Sequence, residues 1–157
     1  MPLSEKPNTS ASYPVDEIRA VFARYNALVE KLDWDSAIEL FTEDAEGGNA
    51  EFGVFPNKRE GIRQFMAHNP TDWGYSCLWN CVDGANVRYK WSHWFPGERP
   101  DGSRYLVHGY AELHYAGNGR FDWLYSFPDL ASYRKVKKEW ELDRGQPYVS
   151  EQLHIAD

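Results

Sequence analysis

Between Val87 and Phe95 the chain alternates large apolar residues with polar ones, and the alternation carries a histidine. Val87, Tyr89, Trp91, His93 and Phe95 fall two apart, so on a strand they share a face. Histidine is the side chain whose ordinary pKa lies nearest working pH, which makes His93 the first candidate for a general acid or base. Asn49 and Glu51, also two apart, offer an amide that polarises a carbonyl and a carboxylate that burial would turn into a base. Gly47 and Gly53 beside them leave space. Tyr25 offers a phenolic hydrogen to an oxygen gaining negative charge, worth about 2.7–4 kcal/mol of barrier when prealigned in a dry site. Asp122 is expected on the side of Leu124 and Ala111, through a pairing with Leu113, where it would meet a pocket base. Each has a plainer reading. His93 would bond to backbone, Tyr25 would reach the surface, and Glu51 and Asp122 would be solvated carboxylates.

Two sheet faces compete to line a pocket. If the Val87–Phe95 face is internal, hairpin register sets Trp91 beside Gly109 and Tyr89 beside Ala111, small residues making room for large rings. Trp34, Phe55, Tyr89, Trp91, Val107 and Leu124 are then the expected substrate-binding walls. In the opposite orientation His108, Tyr110, Glu112 and His114 line the pocket with Phe121, Trp123, Tyr125 and Phe127. Glu112 and His114 would in principle share a metal, but strand neighbours two apart stand ~7 Å apart at Cα, and a third ligand must come from elsewhere. We expect no metal, and an outer sheet face through which two copies form a homodimer.

The elements that position these residues follow from periodicity. Pro14 opens a helix whose stripe is Ile18, Phe22, Tyr25, Val29 and Leu32, with Asp16 and Glu17 favourable to its N-terminal dipole. Asp33 caps a short helix from Trp34 to about Phe41. A glycine-interrupted strand near 45–55 and a helix near 58–68 follow. Strands are predicted near 75–82, 86–95, 104–115 and 120–127, separated by Asp83-Gly84, Pro96-Gly97 through Asp101-Gly102, and Gly117-Asn118-Gly119. Asp129 caps a last helix, 130–142. Residues 1–13 read as a flexible tail, 14–142 as one domain and 143–157 as a C-terminal tail without an assignable pattern.

Composition bounds the rest. The chain has 157 residues, enough for one domain with a real core. A net charge of -7 argues against a nucleic-acid partner, which needs a basic face. Seven Trp, ten Tyr and eight Phe suit either a ring-filled core or a ring-walled ligand cavity. Cys77 and Cys81 read as free thiols. No apolar stretch is long enough to span a membrane and the first residues lack a signal-peptide core, so a cytoplasmic protein is expected.

Arg24-Tyr25, Leu32-Asp33-Trp34-Asp35, Leu40-Phe41 and Asp44-Ala45, with Arg59-Glu60-Gly61-Ile62 and Phe65, resemble SnoaL-like polyketide cyclases and ketosteroid isomerases of the nuclear-transport-factor-two-like superfamily. Gly117 to Phe121 sits where such proteins turn before their last strand. The resemblance spans roughly residues 15–140 and implies an α+β fold: a cone-shaped curved mixed sheet wrapped around three N-terminal helices, here with an extra C-terminal helix. It implies that Tyr25 holds a developing enolate. The isomerases' general-base aspartate falls on Asn49 and their second oxyanion donor on Ala111, so steroid isomerisation is not implied. The Asp-Arg-Asp set of limonene epoxide hydrolases falls near Trp91, Tyr89 and Ser126 and is unmatched. A catalytic histidine of scytalone dehydratase falls on His93, and its second falls near Trp73.

The expected function is cofactor-independent lyase or isomerase chemistry: dehydration, isomerisation, cyclisation or retro-aldol cleavage of a small aromatic or polycyclic apolar substrate. The alternatives are a non-catalytic binder of a hydrophobic ligand and an assembly module using its sheet face.

Overall fold

Pro14, at φ −58°, is the N-cap of α1 (Val15–Glu30), and the residues spaced along its stripe, Ile18, Phe22, Tyr25 and Val29, are all buried. The computed structural model describes residues 12–68 and 72–148. Leu32 leaves the helix at φ 58°, and Asp33 starts α2 (Trp34–Ile38) by accepting from the Ser36 N–H at 3.1 Å. This helix is shorter than expected. Phe41 opens β1 (Phe41–Asn49) instead, because it pairs in parallel with Phe121 near the opposite end of the chain.

The strand expected over 45–55 is likewise two strands. β1 ends where the Asn49 side-chain oxygen accepts from the N–H groups of Glu51 and Phe52, at 3.0 and 2.7 Å. That side-chain turn replaces ladder bonds, and the chain doubles back into β2 (Gly53–Val54), with Gly53 at φ 75°. Asn49 and Glu51 are therefore not neighbours on one strand face. In α3 (Lys58–Ala67) a Cβ at Gly61 would stand 1.9 Å from the Pro56 carbonyl oxygen, so only glycine permits that approach.

The remaining strands are β3 (Gly74–Asp83), β4 (Asn86–Glu98), β5 (Arg104–Gly117) and β6 (Arg120–Pro128). They join β1 and β2 in one six-stranded sheet of order β2-β1-β6-β5-β4-β3, antiparallel except where β1 runs beside β6. The predicted register holds: Trp91 faces Gly109 and Tyr89 faces Ala111. Leu113, however, pairs with Leu124, and Asp122 lies in an irregularity between Trp123 and Phe121.

Burial settles which face is internal. Val87, Phe95, Tyr105 and Leu113 are fully buried, whereas Tyr110 and Phe127 are 49% and 45% exposed. The concave face packs on α1, α2 and α3 in the main core. A second core gathers Phe95, Tyr105 and Val107 under α4 (Leu130–Arg144), through Val136 and Trp140. Asp129 caps α4 on the Ser132 N–H at 3.0 Å, and Gly145 ends it at φ 64°. The architecture is the α+β one expected, with the extra C-terminal helix in place.

Both expected tails contribute packing where they are described. Tyr13 meets Tyr115 edge-on at 5.0 Å, and Tyr148 meets Phe95 at 4.8 Å. Residues 1–11 and 149–157 of those tails lie outside the described residues. Among the described residues, no helix is long and apolar enough to cross a membrane.

Candidate functional site

Between the concave sheet face, α1, α3 and the start of α4 lies a cavity of about 190 Å³. An engineered apolar cavity of ~150 Å³ holds a benzene ring, so this space suits a molecule of one or two rings. Its wall brings together nine of the predicted residues: Tyr25, Trp34, Asn49, Glu51, Tyr89, Trp91, His93, Val107 and Leu124. It does not include Phe55 or Asp122.

Phe55 stands behind the wall, stacked at 4.5 Å on Phe65, which takes the lining position. The β1–β2 turn causes this by directing Phe55 at α3. Asp122 bonds instead to His114 at 2.7 Å, because the β5–β6 irregularity removes it from the Leu124 side. Of the other polar face, Glu112 bonds Arg88 and Tyr110 packs against Trp79, which leaves these groups engaged outside the cavity. His108 reaches the wall where β5 meets Asp129, with its Nδ1 buried and without a hydrogen-bond partner.

His93 is enclosed by rings, with Trp91 and Tyr75 at 5.1 Å and Trp73 at 5.7 Å. Burial pushes its pKa down to about 4, against the smaller opposing effect of a 3.1 Å bond to the Gly74 carbonyl. The imidazole is therefore neutral at neutral pH. Its Nδ1–H donates to Gly74, so Nε2 carries the free lone pair.

Tyr25 is buried, and burial pushes its pKa up to about 12, a hydrogen bond with Tyr89 working weakly the other way. Tyr89 is raised as well, by burial first and then by the neighbouring Tyr25 and Tyr75. Both phenols thus stay protonated and act as donors. The Asn49 oxygen is committed to the β1–β2 turn, which leaves the amide's N–H groups for the cavity. Glu51 lies on the exposed turn at the rim rather than buried on a strand.

Several lining residues escaped the sequence reading. Tyr75 is the register partner of His93 across β3–β4, a signal that the alternation carried. Phe65 and Met66 come from α3, within the helix expected near 58–68. Tyr133 and Leu130 come from α4, while Tyr148 comes from a segment with no periodicity and bonds through its hydroxyl to the Trp73 indole N–H.

A scan of protein families matches residues 14–144 to the SnoaL-like domain. Among solved structures, an LEH-like epoxide hydrolase of M. tuberculosis superposes with a TM-score of 0.64 at 13% identity, over 83% of this chain and 98% of that one. A candidate ketosteroid isomerase from Kribbella flavida gives 0.58 at 17% identity, over 72% and 78%. The epoxide hydrolase/cyclase-like enzyme SalBIII, which acts in pyran ring formation in salinomycin, gives 0.61 at 19%, over 74% and 94%. A search of the curated proteins finds no match. At these identities the structural likeness speaks for the fold, which is nuclear-transport-factor-two-like. The family match covers most of the chain, and the protein belongs to the SnoaL-like family.

Proposed function

We propose that the cavity is the active site of a cofactor-independent lyase or isomerase acting on a neutral apolar molecule of one or two rings that bears oxygen. The observation that carries this reading is the pairing, in one ring-walled space, of protonated phenols with a neutral imidazole. Tyr25, with the Asn49 amide, would hold the substrate oxygen as charge grows on it. His93 would take the proton through Nε2. Among the described lining residues there is no Lys or Arg, which suits a substrate without a carboxylate or phosphate.

One observation favours a second reading. An imidazole held at a pKa of about 4 is a weak base, and Glu51 is exposed, so a binder that alters no bond is the rival. Tryptophan fluorescence during titration with aromatic ketones and phenols, followed by chromatographic separation and mass analysis of the ligand, separates the two. Saturable quenching with a new product, of changed mass or of the same mass at a new retention time, establishes the enzyme. Quenching with the ligand recovered unaltered in both mass and retention across the panel establishes the binder.

A further inference from the structure

Tyr75 lines the cavity, but its hydroxyl hydrogen does not point there. It donates to the Asn26 side-chain oxygen at 3.0 Å, and the Asn26 amide N–H₂ donates in turn to Glu30 at 3.1 Å. The direction of this chain is set at its outer end. Glu30 is exposed, and an ionised carboxylate only accepts hydrogen bonds. The amide must therefore turn its N–H₂ outward and its oxygen inward, and Tyr75 must donate to that oxygen. What Tyr75 presents to the cavity is a lone pair.

Tyr75 and His93 are register partners with ring centroids 5.1 Å apart, and the His93 Nε2 is also an acceptor because Nδ1 is used by Gly74. One wall thus holds two acceptors on neighbouring rings. The burial that raises the Tyr75 pKa keeps this phenol from ionising.

We infer that Asn26, with Glu30 behind it, is a specificity-determining positioning residue: it holds the Tyr75 hydrogen outward so that the Tyr75–His93 wall selects ligands carrying a hydroxyl. The inference rests on the cavity being a ligand site, as proposed above, but not on catalysis. Neither Asn26 nor Glu30 lines the cavity, so both act through Tyr75.

The test compares 2-naphthol with 2-methoxynaphthalene, two-ring probes that differ in the hydroxyl hydrogen. Their dissociation constants are read by tryptophan quenching, with thermal melting as a check on folding. The wild-type protein should bind the naphthol about 5-fold more tightly, as one net hydrogen bond allows. Glu30→Lys replaces the outer acceptor by a donor. It should flip the amide, turn the Tyr75 hydrogen into the cavity and bring the ratio to about one or below. Asn26→Leu should also abolish the preference, while Asn26→Asp, which keeps the acceptor, should retain it. A purely structural role would weaken both probes together. A Glu30→Lys protein that binds both with the wild-type ratio overturns the inference and leaves the proposed function standing. Failure of the wild-type protein to bind either probe overturns the ligand reading and this inference with it.

Discussion

His93 is neutral because neighbouring rings take it largely out of water, and that has consequences for both stability and rate. Its folded pKa of about 4 lies below its ordinary 6.5, so the unfolded chain takes up the proton more readily. Stability from this group is complete above the ordinary value and is lost as pH falls from there toward 4, by up to about 3 kcal/mol. Urea unfolding at acid and neutral pH should show this loss, and His93→Gln should remove most of it. If His93 accepts the substrate proton, kcat/KM should rise with pH through about 4 and then stay level across neutrality. An inflection near the ordinary histidine value would assign the proton to another group. Tyr25→Phe tests the donor. Deleting a prealigned hydrogen bond to a developing oxyanion should lower kcat by about 100-fold or more with a smaller change in KM. An unchanged kcat would remove Tyr25 from the mechanism.

At the scale of elements, the cavity depends on small residues that let strands carry large rings. A Cβ at Gly109 would stand 2.1 Å from the Trp91 ring on the neighbouring strand. Gly109→Ala should drive the indole into the cavity, weaken ligand binding about 10-fold and cost about 1–3 kcal/mol of stability. Equal affinities would mean that Trp91 swings away from the ligand. The register behind this prediction was readable in advance, because hairpin turns fix which residues face each other. The Asn49 turn was not. Whether a glycine-spaced run continues as one strand or folds into two depends on whether the Asn49 oxygen captures the next amides, and alternation carries no record of that. Phe55 and Glu51 were misplaced for this one reason.

For the whole molecule, the convex sheet face carries the prediction about assembly. Trp79 and Tyr110 meet there at 5.9 Å, and both are about half exposed, with Phe127 on the same face. Apolar rings exposed together mark an interaction surface. A homodimer through this face is the expected outcome: light scattering should return twice the 18.2 kDa chain mass, and Tyr110→Glu should halve it. A monomeric wild-type protein would discard that assembly. Dimerisation would also reach the site, because the Tyr125 hydroxyl on this side donates to the Asn49 carbonyl at 2.8 Å.

By itself the sequence determined the helical stripe of α1, the meander and its register, and through them the cavity positions of Tyr25, Tyr89, Trp91, His93, Val107 and Leu124. Those are local or nearest-strand properties, carried by spacing and turn residues. Tertiary structure alone decided the rest. The parallel pairing of Phe41 with Phe121 joins residues far apart in the chain, and Tyr148 reaches Trp73 across 75 positions. The direction of the Tyr75 hydrogen and the neutrality of His93 depend on which partners and how much water surround each group, quantities fixed only when distant segments close around it.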